Sequence, residues 1–507
     1  MKPPAIRRQR NVPAERRHRE GRSQERGITM VLVAIAMIAI IAMAALSIDV
    51  VTLYLAKEEA QRVADSAALA AAKVISLSGI TGAPNDSTNW ALICGGPSSP
   101  ASQAANAVGQ QSTVGSIASI VSITYSAGGS APSLTCAGFP FATGVNNPMV
   151  TAQVTRAGLP TFFSRIWGNT GNTVSASATA EVFNPSNSGN VGNVATGSIT
   201  PVQPRCVKPW IVPNRDPLYA FPVGGNYCDQ AGGGACQTLV NTSTGAITHP
   251  GISTGGSSTN GVIGETFWLE PNCIHTGGRC TPRNTKPQAN YWNTAHQAWL
   301  ELPPSLEYEP GEAPTTTPVA IPSSCNTGRP YEEAVAGCDQ ATVYQCGVQH
   351  TSAFPPNQVD LNENPSAGTN DTMNGVKCLI HQTSETDTTP DGQDVTNLTT
   401  YPFQILPGAN DPLTKFGLAS TTPITNSSSI VSLPIYDSDV DTIAGSGTSP
   451  VTIVGFLQVF INLVDPWGNV NVTVLNVAGC SNGTGTDPVG NPVGGSSPVP
   501  VRLITPQ

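Results

Sequence analysis

Apolar and polar positions along the chain follow three regimes. Residues 28–48 carry no charged side chain, and the run ends at Asp49. At about 1.5 Å per residue this makes a helix about 31 Å long, matching the hydrocarbon thickness of a bilayer. A secretory leader has a shorter apolar region, about 7–15 residues, although Ala42, Ala44 and Ala45 offer small residues of the kind a peptidase needs. A buried core helix does not explain arginines clustered on one flank only. The reading is an uncleaved single-pass span over 27–48. Beyond Asp49 the helical period continues without Pro or Gly until Gly79, and Leu53, Ala56, Ala60, Val63, Ala67, Ala71 and Val74 recur at three- and four-residue spacing. One helix from Ile28 to about Ile75 is predicted, with a stripe of small apolar residues outside the membrane. That stripe can pack against a partner helix or against the chain's own sheet, and both readings stand at this point.

After residue 79 the period shortens. Residues 101–111 read as a short helix, 116–127 and 147–158 as strands, 160–167 as a helix opened by Pro160, and 172–183 as a closing strand. Residues 184–204 contain almost nothing to bury and read as a linker. From residue 205 short apolar runs alternate with turn clusters. The clearest unit is 451–477: a continuously apolar strand, the turn Asp465-Pro466-Trp467-Gly468-Asn469, and a strand alternating through Val470, Val472 and Val474. The first strand is expected to be buried on both faces and the second on one. The division is therefore a basic arm at 1–26, a transmembrane helix at 27–48, a helix-plus-sheet unit at 49–183, the linker, and a mostly β ectodomain at 205–507. The fold class is α+β.

Charge supports this topology. Nine of the 24 basic residues lie in residues 1–26, against three glutamates, so the remaining chain holds fifteen basic and thirty acidic residues. A basic segment beside an apolar one is retained in the cytoplasm, which explains the arm without nucleic acid. The 50 glycines and 44 prolines in 507 residues suit a turn-rich extracytoplasmic protein. All twelve cysteines follow the anchor: Cys94 and Cys136 in the N-terminal unit, then Cys206, Cys228, Cys236, Cys273, Cys280, Cys325, Cys338, Cys346, Cys378 and Cys480. An even number in an oxidising compartment predicts disulfides, with Cys94–Cys136 the first pair and the other pairings open. Zinc is the competing reading for Cys273-His275-Cys280 and for Cys338 with Cys346, but no C-x-x-C knuckle occurs.

Catalytic patterns are sparse. Gly251-Ile252-Ser253-Thr254-Gly255 fits G-x-S-x-G formally, yet polar loop sequence surrounds it where a nucleophile elbow needs a strand and a helix. The histidines His249, His275, His296, His350 and His381 are scattered. Asp437, Asp439 and Asp441 have calcium-loop spacing, but Thr442 and Thr448 stand where an EF-hand needs Gly and Glu. No catalytic residue, cofactor or metal site is assigned, and weak calcium binding at the three aspartates stays open. Trp210, Trp268, Trp292, Trp299 and Trp467 are candidates for sugar stacking or for core.

The N-terminal residues carry a resemblance. Arg26-Gly27 precede the apolar run, Asp49 closes it, and Leu53, Tyr54, Gln61, Ala64, Asp65, Ala67, Ala68, Leu69 and Ala70 follow. Together with the run at 159–182, this resembles the N-terminal unit of TadG-like Flp pilus-assembly proteins over roughly the first 185 residues. The resemblance implies a membrane-anchored accessory or structural protein of tight-adherence secretion. It would lie in a bacterial cytoplasmic membrane with its N-terminus inside, and its ectodomain would be periplasmic or extracellular. Its partners would be other pilus-assembly components. The pilin-like architecture of a long helix on a small sheet is an analogy of fold. Leu32 stands five residues after Gly27, where prepilins of this broad class carry Glu, which argues for permanent anchoring over processing. Nor does the Asp-x-Ser-x-Ser run of von Willebrand-type domains occur. The alternative function is an anchored hydrolase or carbohydrate-binding adhesin, which requires a cleft with two facing carboxylates or exposed aromatic rings.

Overall fold

The computed structural model describes residues 21–182, 206–480 and 501–504, apart from internal stretches of which the longest are 219–236, 292–303 and 347–356. The linker at 184–204 and the body of the helix expected at 160–167 lie outside the described residues. Helix α1 runs unbroken from Gly21 to Ser78, about 87 Å at 1.5 Å per residue. Gly79, at φ +75°, ends it in the left-handed conformation that glycine adopts without strain, and a 3-10 turn over Ile80–Gly82 follows. Helix α2 (Ser87–Cys94) was not evident from periodicity; its cap is Asp86, whose side chain accepts the N–H of Asn89. Helix α3 (Pro100–Gln111) starts with proline in its first turn.

Three antiparallel strands form the N-terminal sheet: β1 (Ile120–Ala127), β2 (Pro148–Leu159) and β3 (Asn172–Val182). Their alternation turns one face onto α1 and α3. A fourth strand, Val501–Ile504, pairs antiparallel with β3, from Val501 opposite Val182 to Ile504 opposite Thr179. This corrects the linear division: the end of the span assigned to the ectodomain completes the N-terminal sheet.

The ectodomain is built on β4 (Trp210–Pro213), β5 (Thr266–Pro271), β6 (Pro304–Pro310), β7 (Ile430–Tyr436), β8 (Ile453–Val464) and β9 (Val470–Gly479). Their order is β6-β4-β7-β8-β9-β5, and β5 pairs back onto β6 in parallel, Trp268 opposite Ser305 through Pro271 opposite Tyr308. The sheet thus closes into a six-stranded barrel, which removes open edges along the ring. Strand β8 is buried on both faces, as its unbroken apolar run predicts: Leu457, Val459 and Ile461 join the main core, while Ile453 and Phe456 join a second core with Ile211, Tyr344 and Leu361.

Strand β9 departs from expectation. Its polar positions are enclosed rather than wet. The Thr473 hydroxyl is shared with Thr266 at 3.0 Å and accepts from Asn462 Nδ2 at 2.9 Å, and Asn476 bonds to the anchor helix. Polar groups enclosed with partners keep most of the hydrogen-bonding energy they had in water.

Outside the barrel, α4 (Pro330–Ala336) packs on α5 (Asp371–Ile380) at Gly375, where a Cβ would lie 2.7 Å from Val335 Cβ. Disulfides join Cys94 to Cys136, Cys206 to Cys338, Cys273 to Cys280, Cys325 to Cys378 and Cys346 to Cys480. Cys228 and Cys236 lie outside the described residues.

Candidate functional site: the anchor helix and its seat

Helix α1 has two environments along its length. From Ile28 to Leu46 its large apolar side chains are exposed all round, about half or more of each surface being open. Among the described residues it is the one helix long and apolar enough to cross a membrane. Burial begins on one face at Ala45 and Asp49, while Val50, Val51, Tyr54 and Leu55 on other faces remain exposed. The apolar surface therefore reaches past Asp49, where the sequence reading ended the span.

Beyond Leu55 the small-residue stripe is enclosed. Ala60, Ala67 and Ala71 are fully buried, Ala56 and Val63 nearly so, and Leu53 and Val74 are half-buried against the same core. Their neighbours belong to this chain: α1 lies against β2, β3 and α3. Of the two readings of the stripe, the structure occupies it with the chain's own sheet and short helix. Alanine permits that closeness, since any larger side chain would hold the helix off the sheet. Polar residues flanking the stripe clamp it down. Lys57 Nζ donates to Ser175 O, Gln61 Nε2 donates to Ser177 O at 3.2 Å, and Glu59 accepts the Gly115 N–H at 2.8 Å. A cavity of about 240 Å³ opens beside this clamp, lined by Thr52, Leu53, Leu55, Ser116 and Leu159 among others.

The outer end of α1 is seated on the barrel. Asn476 Nδ2 donates to Ser76 O at 2.6 Å, and the Thr81 hydroxyl donates to Asn476 Oδ1 at 3.3 Å. Tyr401 donates its hydroxyl to Ser78 O at 3.2 Å, and burial raises its pKa, keeping the phenol a donor. The Gly251 N–H donates to Gly82 O at 2.9 Å. Gly79 touches the barrel backbone directly: a Cβ there would stand 2.0 Å from Leu475 O. Helix-end carbonyls that α1 cannot satisfy internally are thus satisfied by the ectodomain.

Other sequence candidates fall elsewhere. Asp439 pairs with Arg215 at 2.6 Å, Asp437 accepts the Asp439 N–H, and Asp441 accepts the Thr452 N–H, so the three carboxylates serve separate turns. The Ser253 hydroxyl is fully buried and donates to Gly261 O at 2.6 Å. Cys273 and Cys280 close the hairpin of Ile274–Thr276 and Arg279–Thr281 as a disulfide. Trp210 and Trp268 are buried, Trp467 is half-exposed at its turn, and Trp292 and Trp299 lie outside the described residues. The acids Glu270 and Glu307 face each other across β5 and β6 but are 4% and 2% exposed. Sequence reasoning missed the seat entirely. Its residues are spread over Ser76–Gly82, Gly251, Tyr401 and Leu475–Asn476, and only Gly79 gave a local signal, as a helix stop.

Exposed apolar helix, clamped small-residue stripe and seated outer end define an anchor-bearing α+β protein whose ectodomain is fixed to its membrane helix. Residues 27–74 match the Tad family, described as Flp pilus-assembly TadE/G-like. The match covers the anchor and the clamped part of α1. No curated protein and no solved structure matches the chain.

Proposed function

We propose that this is an accessory or structural protein of a Flp pilus-assembly and secretion system. It is held in the cytoplasmic membrane with its N-terminus inside, and it acts through extracytoplasmic protein contacts rather than catalysis. The observation that carries the reading is the Tad match over 27–74, on a helix that is apolar and exposed up to Leu55 and clamped beyond it. Basic residues clustered ahead of the span support the orientation. Enclosure of Ser253, Glu270 and Glu307 from solvent supports a non-enzymatic role.

The test is made in the protein's own cells, by removing it and counting pili, with the intact mass of the restored protein measured from membranes. Loss of pili and a full-length mass support an anchored assembly factor. A mass lacking residues 1–27 would make it a processed pilus subunit, and unchanged pili would sink the assignment.

A further inference from the structure

Among the described residues, one trio of metal-capable side chains converges. Asp216, His249 and Glu265 each offer a ligand atom, and these atoms all lie within 4.8 Å of one another. They come from three separate segments, and backbone hydrogen bonds fix each of them. Asp216 follows β4; its N–H donates to Gln237 O at 3.0 Å and its Oδ1 accepts from Leu218 N at 3.1 Å. The carbonyl of His249 accepts from Val262 N at 3.1 Å. Glu265 stands just before β5, and its carbonyl accepts from Val474 N at 2.8 Å. The stretches carrying His249 and Glu265 touch at two glycines: a Cβ on Gly261 would lie 2.3 Å from Gly251 Cα.

Glu265 is fully buried, and among the described residues neither of its oxygens has a hydrogen-bond donor. What it meets is Asp216, a second carboxylate that is also fully buried. Two enclosed carboxylates this close do not both stay ionised unless a proton or a cation lies between them. Burial first, then the charge of Asp216, raises the Glu265 pKa well above the usual carboxylate range. A shared proton would satisfy the two oxygens only. A divalent cation would neutralise both charges and also use the imidazole at the third corner.

We propose that Asp216, His249 and Glu265 form a structural binding site for a divalent transition ion of the Zn²⁺ or Mn²⁺ type. One imidazole nitrogen with two carboxylates suits those ions, whereas Ca²⁺ takes six to eight oxygens. Zinc bonds of about 2.0–2.2 Å put tetrahedral ligands roughly 3.3–3.6 Å apart, so the trio closes by about an ångström. His249, half-buried on its loop, is the ligand with room to move. The ion would join the segment after β4 to the loops behind the anchor's seat, since Gly251 N binds Gly82 O and Gly264 N binds Val474 O, next to the Leu475 carbonyl that receives Gly79. This inference is independent of the pilus-assembly reading.

The test uses the full-length protein in detergent, stripped with chelator and dialysed against buffered Zn²⁺, Mn²⁺ or Ca²⁺, with bound metal measured by mass spectrometry. One equivalent of Zn²⁺ or Mn²⁺ per chain is expected, with Ca²⁺ bound far more weakly. His249→Ala and Glu265→Gln are each expected to weaken binding by at least about tenfold. Glu265→Gln keeps the side chain's shape and relieves the carboxylate pair, so it folds without metal; His381→Ala, at a different loop, should leave binding unchanged. Absence of stoichiometric Zn²⁺ or Mn²⁺ in the unmutated chain, equal binding by both ligand variants, or a preference for Ca²⁺ would each overturn the proposal.

Discussion

Asn476 uses both ends of its amide on the anchor helix, and a one-residue irregularity puts it there. In the β8–β9 ladder Val459 faces Val474 and Gln458 faces Asn476, which leaves Leu475 as the extra residue of a bulge. The bulge turns Asn476 to the face of Asn471 and Thr473, and it pushes the Leu475 carbonyl against Gly79. Alternation alone could not have revealed this, because the valine pattern runs straight through the bulge. Glu363 is a second residue whose environment sets its chemistry. Burial, then the charges of Asp360, Asp371 and Glu312, push its carboxyl up from the usual 4.5 to about 7. The folded protein therefore holds a proton there that the unfolded chain releases above about pH 4.5. This contribution to stability is complete below that pH and is lost as pH rises through about 7. Glu363→Gln is expected to flatten this part of the stability-versus-pH curve, read by melting temperature at half-unit steps from pH 4 to 8. An unchanged slope would show that Glu363 ionises freely.

Helix α1 is the element where sequence and structure agree best. Charge-free length, the absence of Pro and Gly, and the three-and-four spacing each report a local property of the helix, and Gly79 ends it where the pattern stops. The strands at 120–127, 148–159 and 172–182 were equally legible, since half-buried sheets alternate. What lay beyond reach was pairing. Nothing near Ser305 or Trp268 announces that β5 and β6 meet in parallel and close a barrel, because barrel closure depends on residues far apart in the chain. The same limit hid the seat and the Asp216–His249–Glu265 trio, whose members stand in unremarkable loop sequence. The alanine stripe invites a direct trial. Ala67 is fully buried between α1 and the sheet, so Ala67→Leu should overpack the contact and cost about 1–3 kcal/mol. Denaturant unfolding in detergent measures it, and a loss below about 0.5 kcal/mol, the usual range for surface changes, would mean the helix is not held as tightly as described.

At the scale of the molecule, the chain is tied to itself at two places: the seat of α1 on the barrel, and the strand Val501–Ile504 on β3. Removing residues 501–507 strips the sheet of its outer strand and leaves β3 as an exposed edge. The shortened protein should melt several degrees lower and associate more readily than the full chain, by calorimetry and size-exclusion chromatography. Equal melting would show that the strand adds nothing. The disulfide between Cys346 and Cys480 fixes the point from which the chain departs toward that strand. The sheet nearest the membrane is thus finished by residues synthesised after the whole barrel. Until that strand arrives, the first-made unit keeps an open edge, so the order of synthesis makes completion of the membrane-proximal unit a report that everything after it has been exported.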